Sequence, residues 1–165
     1  GSTFAITLPV RWVEPLIRTV AAGGAGGAGT PAGGDADVQV TVDLVLVVDD
    51  DPGFRRILRG MLQGMAHQVV EATDGRNALD RLQALTPDVV FLDLRMPDMD
   101  GSEVLARMAD MAVRDVPVVI VSSVDLRGLV GAGLGRSAAT LAKSTLDRAL
   151  LQRTLAAVLD PAGKR

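Results

Sequence analysis

The sequence predicts an α/β fold: a doubly wound parallel sheet of five strands with helices on both faces. Short apolar runs alternate with segments of helical periodicity through residues 44–160, the spacing expected of successive βαβ units. Most of the runs are continuously apolar, as in strands covered on both sides. Apolar residues make up 48% of the 165, enough to fill a core.

The strands are read as Leu44–Val48, Gln68–Ala72, Val89–Leu92, Val118–Val121 and Ala138–Ala142. Ahead of the first, Val38, Val40, Val42 and Leu44 alternate with polar residues, a lead-in with one buried face. The first helix should open at Asp51 as N-cap with Pro52 in its first turn, and Phe54, Ile57, Leu58, Met61, Leu62 and Met65 follow at helical spacing. Ala78, Leu79, Leu82 and Leu85 mark the second helix, and Val104, Leu105, Met108 and Met111 the third. A fourth helix, between Asp125 and Ser137, contains Gly128, Gly131, Gly133 and Gly135. Each costs ~1 kcal/mol relative to Ala, so it is expected to be short or mobile. Leu146, Leu150, Leu155, Val158 and Leu159 form the last helix, with Ser144 expected as its cap and Asp147 completing the box.

Composition excludes several functions. The 17 basic residues against 20 acidic ones leave a net charge of -3 with no basic block, and aromatics are 2%. Neither the charge footprint nor the stacking platforms of a nucleic-acid binder are present. Cysteine is absent, which removes disulfides and thiolate metal sites. No apolar run reaches bilayer-spanning length and no basic-then-apolar leader opens the chain, so no membrane contact and a cytoplasmic setting are expected. Residues 21–34 hold seven glycines in 14 positions. The chain therefore divides into residues 1–20, a Gly/Ala-rich linker at 21–37, the main domain at 38–160 and a tail at 161–165. Upstream of the linker, Phe4, Ile6, Leu8 and Val10 alternate with small or polar residues, a strand without a sheet of its own.

In open parallel sheets, ligands bind outside the carboxyl ends of the strands. Those ends carry Asp49, Asp50 and Asp51, then Asp93, then Ser122 and Ser123, then Lys143. Crowded carboxylates repel unless a cation neutralises them, and an all-oxygen set suits a hard ion such as Mg²⁺. With a metal and an ammonium on phosphoryl oxygens and a hydroxyl donating to them, a carboxylate can be the nucleophile of an aspartyl-phosphate chemistry, with Asp93 the central candidate.

The stretches VLVVDDDP, PDVVFLDLRMPDMDG and VPVVIVSS, together with Lys143, resemble the receiver domains of two-component response regulators and hybrid histidine kinases, over residues 44 to about 160. The resemblance implies a (βα)5 flavodoxin-like receiver fold and a phosphorelay module that is not a turnover enzyme. Asp93 would accept a phosphoryl group from a phosphohistidine, on a histidine kinase or histidine phosphotransfer domain. Asp50, Asp93 and the backbone carbonyl of Arg95 would hold Mg²⁺, with Asp49 positioning a metal-bound water. Ser122, Ser123 and Lys143 would bind the phosphate, and Pro97 and Gly101 fit the family's loop after the phosphorylated strand.

Three positions depart from the family pattern. Thr140 stands where an aromatic is usual, Ser144 where Pro follows the lysine, and the fourth helix is glycine-rich. A non-proline bond prefers trans by ~2.5 to 4 kcal/mol, so Lys143–Ser144 is expected trans, which changes how Lys143 is aimed; an ammonium set farther from Asp93 would slow phosphorylation. GSTFAITLPV also resembles the closing strand of a histidine kinase ATPase domain, which implies the C-terminal piece of a hybrid sensor kinase, a parent that can be membrane-anchored.

Plainer readings stand beside these. Asp51 is an N-cap. The Gly24–Gly29 match to a dinucleotide fingerprint is linker, because no core strand precedes it and no helix follows. His67, the single histidine, falls at a turn between the first helix and second strand. Arg55, Arg56 and Arg59 are either a solvated helix face or a docking surface for the phosphodonor. An aspartyl-phosphate phosphohydrolase would need an acid two residues after the nucleophile, where this chain has Arg95. A receiver-like interaction module that is never phosphorylated is the remaining alternative.

Overall fold

The computed structural model describes residues 40–123 and 137–159, all within the compact unit Asp35–Arg165. The N-terminal strand, the linker, the glycine-rich helix and the tail lie outside the described residues. The elements are β1 (Val42–Val48), α1 (Pro52–Leu62), β2 (Ala66–Ala72), α2 (Gly75–Ala84), β3 (Val89–Leu92), α3 (Gly101–Met108), β4 (Val118–Ser122), β5 (Ser137–Ala142), a 3-10 turn (Lys143–Thr145) and α4 (Arg148–Leu159). The strands form one sheet in the order β2-β1-β3-β4-β5, every pair parallel. This is the doubly wound fold that the sequence predicts.

Strand geometry sends alternate side chains to opposite faces. On one face Leu46, Val48, Val90, Leu92, Val118 and Ile120 pack with Ala78, Leu79 and Leu82 of α2 and with Val104, Leu105 and Met108 of α3. On the other, Val45, Val47, Val89, Phe91, Val119 and Val121 meet Leu58 and Leu62 of α1 and Leu151 and Leu155 of α4. Two cores explain why β1, β3 and β4 read as continuous apolar runs. Asp51, Asp74 and Asp100 cap α1, α2 and α3, accepting from the backbone N–H of Gly53, Asn77 and Glu103.

The boundaries correct the reading in several places, Met65 and Leu85 falling just beyond α1 and α2 among them. β1 begins at Val42, two residues early, because its first residues still face the core on one side. β2 begins at Ala66, paired with Val42, so His67 is an exposed strand residue and not part of a turn. Met111 falls beyond α3. Ser144 does not cap the last helix: it lies in the 3-10 turn, while the Asp147 carboxylate accepts from Leu150 N–H at 2.7 Å and its carbonyl accepts from Leu151 N–H at 3.0 Å. A carboxylate at the helix start also meets the positive end of the macrodipole, which a hydroxyl does less well.

Candidate functional site

Asp49 and Asp93 follow the last residues of β1 and β3, and the ladder extends to both. Asp49 N–H donates to the Ala72 carbonyl at 3.2 Å and Asp93 N–H to the Val48 carbonyl at 2.9 Å. The two carboxyl groups are thus placed side by side by backbone pairing, and their residues are only 1% and 4% exposed. One oxygen of each accepts from a nearby main-chain N–H: Asp49 Oδ1 from Asp51 at 2.9 Å, and Asp93 Oδ1 from Arg95 at 3.1 Å. The other oxygen of each meets one ammonium. Lys143 Nζ lies 2.6 Å from Asp49 Oδ2 and 2.7 Å from Asp93 Oδ2.

Burial pushes the Asp49 carboxyl above the usual carboxylate range, and the bond from Lys143 offsets this only in part. Burial also opposes the charge on Lys143, but its bonds to Asp49 and Asp93 outweigh that and raise its pKa. The ammonium therefore stays protonated between the two acids. Asp50, one residue on, is exposed at the rim. Its carboxylate brings an oxygen into a set with Asp49 and Asp93 in which all three lie within 4.8 Å of one another. Three hard oxygen donors at that spacing fit a divalent cation such as Mg²⁺, which takes one or two carboxylates and completes its shell with water or substrate oxygen.

The remaining expected residues stand around this group. Ser122 ends β4 and is fully buried, and Ser123 follows it, exposed. Arg95 lies in the loop after β3, where its main-chain N–H donates to Asp93 Oδ1. That loop turns back sharply: Gly101 N–H donates to the Leu94 carbonyl at 3.0 Å, and a Cβ on Gly101 would collide with the Asp93 carbonyl oxygen. Glycine is required there by close approach of backbone to backbone. Asp98 in the same loop has φ 69°, a left-handed conformation that Asp adopts more readily than most residues. Thr140, at the position where the family usually has an aromatic, is exposed on β5.

Two findings overturn expectations. The Lys143–Ser144 peptide is trans as expected, yet the ammonium is not held away from Asp93 but touches it. The 3-10 turn at Lys143–Thr145 absorbs the change of direction, so the strand delivers the lysine before the chain turns away. The three arginines of α1 are not one solvated face either. Arg56 and Arg59 are exposed, Arg59 with a bond to Glu71, but Arg55 turns inward to the carbonyl of Asp49 and to Glu71. The sequence reading missed Phe54 as well, whose ring centroid lies 4.5 Å from Lys143 Nζ. An arginine six residues after Asp49 was the available signal for the first; nothing local links Phe54 to a lysine 89 positions away.

The family model described as response regulator receiver domain matches residues 45–154. The chain belongs to that family. It is 34% identical over 108 residues to the response regulator PleD of Caulobacter vibrioides, covering 65% of this chain and 24% of that protein. A protein-glutamate methylesterase/protein-glutamine glutaminase of Treponema pallidum is 37% identical over 86 residues, 51% of this chain and 21% of the relative. The chain thus spans less than a quarter of the length of these two relatives. Among solved structures, the receiver domain of sensor histidine kinase PA1611 of Pseudomonas aeruginosa, with a magnesium ion coordinated in its active-site cleft, aligns with a TM-score of 0.65 at 25% identity, covering 72% of this chain and 98% of that one. The chemotaxis protein CheY4 of Vibrio cholerae aligns at 0.64 with 29% identity, covering 72% and 100%.

Proposed function

We propose that this chain is the phosphoacceptor receiver of a two-component phosphorelay and that Asp93 accepts the phosphoryl group. The observation that carries this is the buried Asp93 carboxylate, its Oδ2 at 2.7 Å from Lys143 and its Oδ1 at 3.1 Å from the Arg95 N–H, with Asp49 and Asp50 beside it. An Asp93 oxygen attacks phosphorus as the phosphorus–nitrogen bond of a phosphohistidine breaks, and the imidazole leaves with the bonding pair. Lys143 passes from holding the carboxylates to pairing with phosphoryl oxygen, and Ser122 and Ser123 donate to that group. Asp50, Asp93 and the Arg95 carbonyl would hold Mg²⁺, with Asp49 acting through a water. When bound, the cation neutralises charge on the carboxylates and the phosphoryl oxygens.

The donor is a histidine kinase or a histidine phosphotransfer domain, and output is by docking to a partner; no nucleic acid is part of this reading. The module turns over only its own phosphate and is not otherwise an enzyme. Residues 1–20 are assigned to the end of a preceding kinase domain, 21–37 to a linker, 38–160 to the receiver and 161–165 to a tail, which suits a hybrid sensor kinase. The solved receiver of a sensor histidine kinase supports that context, and its coordinated magnesium supports the choice of cation. No helix among the described residues is long and apolar enough to cross a membrane. That agrees with a cytoplasmic position, whether or not the parent kinase is membrane-anchored. Incubation with acetyl phosphate and Mg²⁺ should add one phosphate by intact mass, and Asp93→Asn should remove it. An adduct that persists in Asp93→Asn overturns the assignment; no adduct in the wild type supports a receiver-like module that is never phosphorylated.

A further inference from the structure

The acid turn at the end of β1 has a second support that the proposed phosphoacceptor roles do not use. Arg55, one helical turn into α1, sends its guanidinium back toward the strand. Nη1 donates to the main-chain carbonyl of Asp49 at 2.7 Å, and Nε pairs with Glu71 Oε2 of β2 at 3.2 Å. The Arg55 side chain is 11% exposed, so this charge has been largely withdrawn from water. Glu71 is its counterion, held in place as β2 pairs with β1 at Val47, and the second Glu71 oxygen takes Arg59 Nη1 at 3.3 Å. A largely buried guanidinium is costly unless it is paired and hydrogen-bonded, and here Glu71 and the Asp49 carbonyl do both.

The carbonyl in question belongs to the Asp49–Asp50 peptide. Its orientation sets the plane from which Asp50 projects. Asp49 is fixed by its own side-chain bonds to Lys143 and to the Asp51 N–H. The Asp50 carboxylate is exposed, with no side-chain bond among the described residues, so beyond its own rotamer the Asp49–Asp50 peptide is what sets the direction from which it reaches Asp49 and Asp93. We propose that Arg55 is a positioning residue: braced by Glu71, it locks the Asp49–Asp50 peptide so that the Asp50 carboxylate faces Asp93 and completes the divalent-cation site. The planar fork suits this task, since it serves a carbonyl and a carboxylate in fixed directions at once; a lysine ammonium at the same position is a single point charge on a flexible stem. The inference rests on the phosphoacceptor reading of the site.

The test is Mg²⁺ affinity of the full chain, read by amide NMR shifts and calorimetric titration with Mg²⁺ alone, on wild type, Arg55→Lys, Glu71→Gln and Arg59→Ala. Supports of metal ligands change affinity by roughly 10- to 100-fold when lost. Arg55→Lys is expected to weaken Mg²⁺ about tenfold, while saturating Mg²⁺ restores phosphorylation by acetyl phosphate to near the wild-type rate. Glu71→Gln should weaken binding in the same direction and less. Arg59→Ala, which touches Glu71 but not Asp49, should bind as the wild type does. Wild-type Mg²⁺ affinity in a folded Arg55→Lys overturns the proposal, as does unfolding of both Arg55→Lys and Glu71→Gln in saturating Mg²⁺, which would make the bond a matter of stability only. Failure of the underlying reading looks different: wild type itself would bind no Mg²⁺ or take no phosphate at Asp93.

Discussion

Asp49 and Asp93 are held by the backbone of two interior strands, whereas Lys143, at the end of the edge strand β5, is held by the groups it touches. The acids are placed by ladder bonds to Ala72 and Val48, by main-chain N–H groups on their oxygens and by the Gly101 turn behind Asp93. The ammonium reaches the same point through four methylenes, ending between two carboxylates and over the Phe54 ring. A carboxylate geometry fixed by main chain can wait for a cation or a phosphoryl group without rearranging. A cation held by side-chain contacts can change partners when the ligand arrives. That division of labour suits the function proposed above, in which the lysine passes from carboxylate to phosphate.

Asp93→Asn tests the rigid side most severely. It removes the nucleophilic oxygen and leaves the backbone placement intact, so phosphate incorporation should vanish while the fold, read by circular dichroism, is retained. Next comes the mobile side. Lys143→Met leaves Asp49 and Asp93 facing each other with no cation, and loss of one member of a buried pair costs about 3 to 5 kcal/mol. Chemical denaturation of the metal-free variant should show a loss in that range, and Mg²⁺ should recover part of it because both acids remain in place. A loss that Mg²⁺ does not touch would mean that the lysine also positions the carboxylates, and the comparison would fail.

Gly101→Ala should cost about 2 kcal/mol, since the new methyl must push the Asp93 carbonyl or its own helix aside, and should slow phosphorylation as Asp93 shifts. Unchanged stability would show that the loop behind Asp93 is less constrained than its geometry indicates. Smaller still are the helix caps near the rim. Asp100 is held below its usual pKa by Ser102 and the Glu103 N–H, and Asp74 by the Asn77 N–H and Thr73. A carboxyl whose pKa is lowered on folding contributes stability above its unfolded value and loses it as pH falls through the folded value. Asp100→Ala should therefore cost about 1 kcal/mol at neutral pH, with the deficit shrinking below about pH 4 in denaturation curves taken across pH. The smallest effect is expected from Ser144→Pro. Because Lys143 already touches Asp93 through a trans bond, the substitution has no misplaced lysine to correct, and acetyl phosphate kinetics should be unchanged.

Much of this architecture is legible in the sequence because its signals are local. Continuous runs at 45–48, 89–92 and 118–121 read as strands covered on both faces, and their alternation with helical segments points to parallel strands between two helix layers. The carboxyl ends of such strands share one rim, so Asp49, Asp50, Asp93 and Lys143 could be named together without knowing any distance. The cap at Asp51 is a matter of one turn of chain; those at Asp74 and Asp100 are equally local, though the sequence reading missed them. The sequence by itself therefore determined the fold class, the strand order's shared rim and the acids that line it.

What only the tertiary structure decided involves partners far apart along the chain. That Ser144 yields its capping role to Asp147 depends on where β5 ends against β4 and how the 3-10 turn leaves it. That Lys143 reaches both acids depends on the stagger of β5, which shifts register between Val118 and Val119. Arg55 reads as a surface residue by helical periodicity, and it becomes an internal one only because β2 brings Glu71 alongside β1. Periodicity reports which face of an element is apolar; it carries no information on which charged side chain will find a counterion on another strand, because that partner is chosen by strand pairing and not by neighbours in sequence.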